Sequence, residues 1–515
     1  MKKRLFIKNA AVLTVTAILL RTAGMLLRIY LSNTIGAEGM GLYQLILSIY
    51  LLASTFATSG LCTAVTRLVT DETVCGSKKS VRRVMRRSIE LTFIIGAILT
   101  ALIFFFADFI AEFWICDMRA VPALKILSFS LVFMGISSCF KGYFMARRKA
   151  VMPSSSQIFE QIIRICAVVL LIGHFGSKGI EKACFAILFA DTIAETCSCI
   201  YLLICYMIDK RRLVTANLQG SKGVAKRIVK ISLPIVAGKY LSTGLRTIEN
   251  LAVPGCLEKY GGSKQAALET FGELKGMALP IIFFPSSFLM SMSTLLMPEI
   301  SEAKALHDSL AIRSQISRAV EITLQSAILI SAFFTVLSNN VGILLYNSES
   351  VGFLIKVLSP LIPAMYIEAV CDGMLKGLNQ QNHTLIFSAA DSIIRIICIF
   401  TLVPKFGMAG FLGMMIFSNL FTSTLNVRRL MKISGTSFDF VNWLIKPAFF
   451  AIISSFVVTI SLRLIKMNMI LFCVLVILLI TALYGIMIVA TKTSAPLCEM
   501  ICKMKFLRRQ KERAH

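Results

Sequence analysis

The feature that most limits the fold is a series of apolar runs about 20 residues long, which recur along the whole 515-residue chain. As an α-helix, a run of about 20 apolar residues matches the ~30 Å hydrocarbon core of a bilayer. Within that core each backbone polar group needs a hydrogen-bond partner inside the protein, which favours helices over open sheets. The sequence is also 57% hydrophobic, with a mean hydropathy of +0.78, unlike an ordinary soluble domain. We therefore expect an all-α polytopic membrane protein.

The runs predict about fourteen transmembrane helices joined mostly by short loops, which leave no room for a soluble catalytic domain. The predicted spans are residues 10–31, 41–66, 88–111, 121–143, 154–174, 181–208, 228–251, 266–294, 315–338, 351–374, 385–403, 408–427, 443–463 and 468–491. The predicted domains are a six-helix lobe over 1–208, a cytoplasmic linker over 209–227, a second six-helix lobe over 228–432, two additional helices over 443–491 and a basic cytoplasmic tail over 492–515.

The basic residues predict the orientation of the chain in the membrane. The net charge is +27, and 37 of the 54 Lys and Arg residues fall on one side of the predicted spans, against nine on the other. Cytoplasmic loops are enriched in Lys and Arg, so both termini are expected in the cytoplasm. Because the charges lie in the gaps between spans, we expect a lipid bilayer around the chain and no nucleic-acid partner.

Two arginines interrupt the first apolar run. Arg21 and Arg28 lie seven residues apart, so both leave the same face of a helix, ~10 Å apart along its axis. An arginine at a helix centre opposes insertion by about 2.5–3.5 kcal/mol, while a Leu, Ile or Val favours it by only about 0.3–0.6 kcal/mol. This face is therefore expected to meet water or an anion inside the protein.

An internal repeat relates the two predicted lobes. Lys141-Gly-Tyr-Phe-Met-Ala-Arg followed by Glu160-Gln-Ile-Ile-Arg-Ile165 resembles Lys376-Gly-Leu-Asn-Gln-Gln-Asn followed by Asp391-Ser-Ile-Ile-Arg-Ile396. Phe175-Gly176 and Gly179 likewise correspond to Phe406-Gly407 and Gly410. Two six-span halves of the same topology are related by an axis along the membrane normal, an arrangement typical of transporters.

The repeat makes span 7 the counterpart of span 1. Span 7 contains Lys239 and Arg246, again seven residues apart. The first helix of each half thus has two cations, and together the four predict a shared basic cavity, with Arg21, Arg28, Lys239 and Arg246 as substrate-binding residues. The alternative is local neutralisation of each cation, for example of Arg246 by Glu249 three residues later.

Span 8 adds further charges that we consider candidates for the cavity or for ion coupling: Glu269, Glu273 and Lys275, together with Glu249 of span 7. Gly272 and Gly276 flank Glu273 and Lys275, which favours close helix packing or a local break in the helix.

Other charged pairs within spans have i, i+4 spacing. Glu160 with Arg164, and Asp391 with Arg395, are interpreted as structural ion pairs. The carboxylate pairs are Asp191 with Glu195 and Glu368 with Asp372; these either couple transport to an ion or line a solvated helix end.

Signals of catalysis, cofactors or metals are missing from the sequence. It has no Walker A motif, nucleophile elbow or dinucleotide loop. It has four histidines, and its 15 cysteines lack zinc-ligand spacing. We therefore expect a membrane transporter, not an enzyme, without a cofactor or a metal.

Several motifs resemble a known family. They are Arg21-x-x-Gly24 with Arg28, Ile35-Gly-Ala-Glu-Gly-Met-Gly-Leu-Tyr43, Lys141-Gly-Tyr-Phe144 with Glu160-Gln-Ile-Ile-Arg164, Phe271-Gly-Glu-Leu-Lys-Gly276 and Met297-Pro-Glu-Ile-Ser-Glu302. In this order, over nearly the whole chain, they resemble the polysaccharide-transport branch of the multidrug/oligosaccharidyl-lipid/polysaccharide (MOP) exporter superfamily, and within it a group of sporulation proteins.

The resemblance implies two six-helix lobes around a central cavity that opens alternately to each side. It implies a lipid-linked saccharide or a peptidoglycan precursor as cargo. In lipid II flippases of this superfamily, arginines of the first helix line the cavity, and Arg21 and Arg28 match those positions by motif. There, two extra terminal helices border a groove suited to a polyprenyl tail, which spans 13 and 14 would reproduce.

The leading hypothesis is a flippase in the bacterial cytoplasmic membrane that moves an undecaprenyl-linked saccharide or peptidoglycan precursor, for the spore cortex or the cell envelope. One alternative is a multidrug/cation antiporter of the same superfamily, which would need acidic residues at the cavity centre. Another is a non-transporting scaffold in envelope synthesis.

Overall fold

A computed structural model describes residues 2–58, 60–74, 78–175, 179–211, 224–463, 468–491 and 493. The described residues form helices and connecting turns, without a β-strand among them. The α-helices are α1 (Lys2–Thr58), α2 (Leu61–Val74), α3 (Lys78–Phe105), α4 (Ala107–Phe109), α5 (Val121–Ser128), α6 (Ser130–Ala146), α7 (Val151–Phe175), α8 (Ile180–Arg211), α9 (Val224–Lys259), α10 (Lys264–Phe271), α11 (Leu279–Phe283), α12 (Ser286–Ala305), α13 (Ser309–Tyr346), α14 (Glu349–Leu358), α15 (Ile362–Gly377), α16 (Gln381–Ser434), α17 (Lys446–Arg463) and α18 (Met469–Ala490).

Two of these helices each contain a pair of predicted spans. Spans 1 and 2 lie in α1, where the single residue Gly36 leaves helical geometry with φ 71° and ψ −177°. Spans 11 and 12 lie in α16, interrupted at Gly407 with φ 57° and ψ −136°. Backbone with φ near +60° and ψ near 180° is essentially confined to glycine. The glycines therefore allow each break in the helix to be made by one non-helical residue.

The predicted helical membrane fold is confirmed, but the predicted number of fourteen spans is not. Among the described residues, ten segments are long and apolar enough to cross a membrane. The kinked helices α1 and α16 each contain two predicted spans, but each lies within a segment that is counted only once. The α9 segment is not among the ten, consistent with Lys239, Arg246 and Glu249 lowering its hydropathy.

The first compact unit comprises Met1–Met277 with Ile396–Met408. One of its cores joins α2, α3, α6 and α8 through buried side chains that include Leu68, Val84, Phe140, Tyr143 and Leu202. Elsewhere in this unit, α9 and α10 pack closely against α1. This unit therefore includes helices that the repeat assigned to the second lobe, and the predicted lobe boundaries stay a prediction.

The second compact unit comprises Ala278–Arg395 with Ala409–His515. Its long helix α13 packs against α17 and α18 through two apolar clusters. One contains Ile328, Phe450 and Tyr484, and the other contains Leu337 and Val458. The two last helices are thus part of the core of this unit.

Candidate functional site: basic residues of the first compact unit

The predicted cations of span 1 lie on α1 before its break at Gly36. Arg21 is exposed and Arg28 is half-buried. After the break, the same helix brings Tyr43 close enough to Arg28 for an electrostatic interaction. Arg28 therefore interacts with a polar residue that follows the break at Gly36.

The predicted cations of span 7 lie on α9, and both Lys239 and Arg246 are exposed. Nearby residues of α9 define what this helix faces. Asn250 donates a hydrogen bond to Ser48 Oγ of α1 at 3.0 Å, and Thr247 donates one to the Ser48 carbonyl at 3.1 Å. Asn250 lies about 40° around the helix from Arg246, so Arg246 leaves α9 beside its contact with α1.

The predicted acidic and basic candidates around Glu249 are partly brought together. Lys275 Nζ lies 3.2 Å from Glu249 Oε1, and both side chains are largely buried. Glu269 accepts a hydrogen bond from Gln265 on its own helix at 3.2 Å, and Glu273 is half-buried in the next turn. The partner of Glu249 in this ion pair is therefore a lysine of span 8.

Local neutralisation, the alternative to a basic cavity, is not seen for three of the four cations. Within the described part of the chain, Arg28, Lys239 and Arg246 form no ion pair with a carboxylate. Their charges therefore remain available to an anion or to water.

Of the two effects predicted for the glycines of span 8, close packing is confirmed. Residues Gly272–Ala278 form a π-helical segment that continues directly from α10 into α11. A Cβ on Gly272 would lie 2.7 Å from the Gly41 nitrogen and closer still to the Ala37 carbonyl oxygen. The backbones of α1 and span 8 therefore approach so closely that only glycine fits, and this contact positions Lys275 near Glu249.

A second charged cluster joins α7 and α8, and it is larger than the sequence predicted. The predicted pair is confirmed, because Arg164 Nη2 lies 2.9 Å from Glu160 Oε1. The same guanidinium lies 2.7 Å from Asp191 and 4.0 Å from Glu195. The matching i, i+4 spacings in spans 5 and 6 were the signal for this cluster, although spacing alone does not show which faces meet.

The second compact unit contains an apolar cleft of about 1170 Å³. It lies among α13, α15, α16 and α17, and its lining includes Ile328, Ile367, Leu420 and Phe456. Among the described residues that line it, Arg428 is the only charged one. Hydropathy did not reveal this cleft, because its apolar lining looks like any other span surface.

Comparisons with known proteins agree with the resemblance seen in the motifs. The profile described as polysaccharide biosynthesis protein matches residues 6–304. Stage V sporulation protein B of Bacillus subtilis (strain 168) is 26% identical over 416 residues, which are 80% of each chain. Among solved structures, lipid II flippase MurJ in an inward closed conformation gives a TM-score of 0.68 at 16% identity, over 94% of this chain and 98% of that one. An inward-facing multidrug resistance MATE family transporter of the MOP superfamily gives 0.66 at 14% identity, over 82% and 100%.

Proposed function

The chain belongs to the polysaccharide biosynthesis protein family, and from this premise we propose that it is an alternating-access flippase of the bacterial cytoplasmic membrane. Its cargo is an undecaprenyl-linked saccharide or peptidoglycan precursor, moved from the inner to the outer leaflet for spore cortex or cell-envelope synthesis. Both termini lie in the cytoplasm, as the distribution of Lys and Arg predicts. The proposal is supported by similarity to stage V sporulation protein B and by the fold shared with lipid II flippase MurJ.

The observation on which the proposal rests most is the set of cations in the first compact unit. Arg28, Lys239 and Arg246 have no carboxylate partner among the described residues, and Arg21 is exposed on the same helix as Arg28. A lipid-linked precursor has an anionic phosphate or pyrophosphate head. Arginine binds such groups through bidentate, charge-assisted hydrogen bonds. These side chains would therefore hold the head group while the helices around it rearrange.

The apolar cleft of the second compact unit supports a lipid tail in the cargo. Its lining is mostly aliphatic and aromatic, and α17, the first of the two additional helices, forms one wall. An isoprenoid tail would enter this cleft from the bilayer, so its binding would depend on van der Waals packing against the lining and not on removal of apolar surface from water. Arg428 on its lining would attract an anionic lipid group.

A multidrug/cation antiporter is the weaker candidate. A site for cationic drugs needs unpaired acidic groups, whereas Glu249 is already paired with Lys275. The similarity to a MATE transporter supports the shared fold only.

The test is a flipping assay with the purified full chain in liposomes and a panel of fluorescent lipid-linked precursors. Flipping is measured as the change in the fraction of fluorescent label that is protected from an external quencher. Arg28→Ala should slow transport by roughly 10- to 150-fold, because a hydrogen bond to a charged group contributes about 1.5–3 kcal/mol. Arg28→Lys should recover only part of the rate, since lysine lacks the bidentate fork.

The matched control is Lys259→Ala, which removes an exposed cation from the last turn of α9. It should transport at the wild-type rate. A well-expressed Arg21→Ala/Arg28→Ala double variant that still flips normally would show that the assignment of these residues is wrong. A wild-type chain that flips none of the precursors would favour the scaffold hypothesis.

A further inference from the structure

The cluster around Arg164 holds more negative charge than an ion pair needs. Three carboxylates approach this one guanidinium: Glu160 at 2.9 Å, Asp191 at 2.7 Å and Glu195 at 4.0 Å. All four residues lie in predicted spans 5 and 6. Ionisable groups inside a membrane are costly unless they are paired or have a functional role. Arg164 has one positive charge, which can neutralise only one of the three carboxylates.

Glu195 is the member of the cluster that is least well paired. It is 7% exposed, and its only described ion-pair contact is the 4.0 Å approach to Arg164. Its Oε2 atom is buried and has no hydrogen-bond partner among the described residues. A buried, ionised carboxylate oxygen without a donor is strongly unfavourable. A bound proton would remove that cost by neutralising the group.

The second half of the chain offers an internal comparison. There, Asp391 and Arg395 repeat Glu160 and Arg164, and their side chains lie 3.8 Å apart. The register set by Phe175-Gly176 and Phe406-Gly407 places Thr422 at the position of Asp191 and Asn426 at that of Glu195. No Asp or Glu occurs from 408 to 427 in the sequence. An acid–arginine pair is thus accommodated in this helix pair without further carboxylates.

The comparison separates two roles within the first cluster. Thr422 and Asn426 are 2% and 3% exposed, so the repeat has neutral polar residues at these buried positions. Thr422 Oγ1 and Asn426 Oδ1 are also buried without a hydrogen-bond partner among the described residues, but neither residue has a charge to neutralise. Glu160 and Arg164 therefore account for the structural ion pair. Asp191 lies 2.7 Å from Arg164, so the charge that requires a separate explanation is that of Glu195, which Arg164 approaches only to 4.0 Å.

From this geometry, we infer that Glu195 is a proton-binding site of the first compact unit, with Asp191 and Arg164 setting its electrostatic surroundings. A proton from water binds the free Oε2 atom and neutralises the carboxylate. A metal cation fits less well, because it needs several oxygen ligands, whereas Glu195 Oε2 is the one buried carboxylate oxygen among the described residues that has no hydrogen-bond partner.

The groups that surround this site come from four helices. The charged and titratable residues near Glu195 are Glu160 and Arg164 on α7, Asp191 and Cys199 on α8, Lys141 on α6 and Tyr50 on α1. Asp191 also interacts with Tyr43, which in turn interacts with Arg28. Protonation of Glu195 would therefore change the electrostatic potential near a proposed cargo-binding arginine, and by linkage anion binding would change the proton affinity.

The primary test needs no cargo, so its result is independent of the proposed function. Infrared difference spectra of the purified full chain, recorded while the pH is stepped through the neutral range, report protonated carboxyl groups through their C=O stretching band. Wild type should show a titrating component that Glu195→Gln abolishes. Glu160→Asp, which introduces the acid found at the equivalent position 391, should keep that component.

Glu195→Asn provides a second variant with the residue that the repeat has at position 426, in case the glutamine variant folds poorly. Identical titration in wild type and in the folded Glu195 variants would overturn the inference. So would a band that responds to sodium at constant pH and not to pH itself. In the flipping assay, loss of pH dependence in Glu195→Gln would then connect the site to transport.

Discussion

Replacing Gly272 by alanine tests the close approach that fixes span 8 against α1. The added Cβ would lie 2.7 Å from the Gly41 nitrogen and 3.0 Å from the Ala37 carbonyl carbon. Ordinary van der Waals contact at about 3.5–4.0 Å requires the two backbones to separate by roughly 1 Å. A gap of about 0.5–1 Å costs neighbouring contacts a quarter to a half of their dispersion energy. Because both obstructing groups are backbone, we expect destabilisation near the upper end of the 1–3 kcal/mol typical of overpacking, about 2–3 kcal/mol.

Gly244→Ala is the matched control, since α9 leaves open space around the added methyl group. Helix propensity alone should stabilise this variant by up to about 1 kcal/mol. Both free energies of unfolding can be measured by denaturant titration of the purified chain in detergent. If Gly272→Ala unfolds at the same denaturant concentration as wild type or Gly244→Ala, the close backbone contact does not exist as described.

Three further substitutions probe other parts of the same unit. Gly36→Ala should lower the free energy of unfolding by about 1–3 kcal/mol, because φ is 71° at this residue and strains a backbone that has a Cβ. The space around the added methyl group is open, so no clash contributes. An unchanged unfolding midpoint would contradict the described break in α1. Glu249→Gln should cost up to about 3–5 kcal/mol, because it removes the negative charge of a largely buried ion pair with Lys275. Adding Lys275→Met should recover much of that loss; if the double variant is less stable than the single one, the pair is not the main interaction. Burial alone would raise the pKa of Asp117, but hydrogen bonds from Arg119 outweigh it and lower that pKa below its ordinary value. Asp117 therefore stabilises the fold above about pH 4, and this contribution is lost as the pH falls through the lowered pKa; acid unfolding of Asp117→Asn should lack this component, and identical acid profiles would refute it.

Local interactions were the part of the molecule that the sequence predicted best. Apolar runs of bilayer length predict helices because the backbone has no other way to satisfy its hydrogen bonds in lipid. The i, i+4 pairs Glu160 with Arg164 and Asp391 with Arg395 are both present. Such pairs can be predicted because the geometry of one helix brings their members together.

Contacts between helices were not predictable in the same way. Lys275 with Glu249, and Arg164 with Asp191, join residues about 26 apart in sequence and on different helices. Their formation depends on how each helix is rotated against its neighbour, and for span 8 this includes the close packing of Gly272 against Gly41. The single-residue breaks at Gly36 and Gly407 were missed for a related reason. A hydropathy minimum indicates a turn but does not give its length.

A comparison of Arg28 with Arg164 explains why Arg28 is the better candidate for a role in transport. Both are arginines in the interior of predicted spans, and both are partly buried. Arg164 has three carboxylates within 4.0 Å, so the fold itself offsets the cost of its charge. Arg28 has no such carboxylate partner among the described residues. Because an unpaired charge inside a membrane persists only where water or a ligand solvates it, the placement of Arg28 supports a role in binding an anion and not in holding helices together.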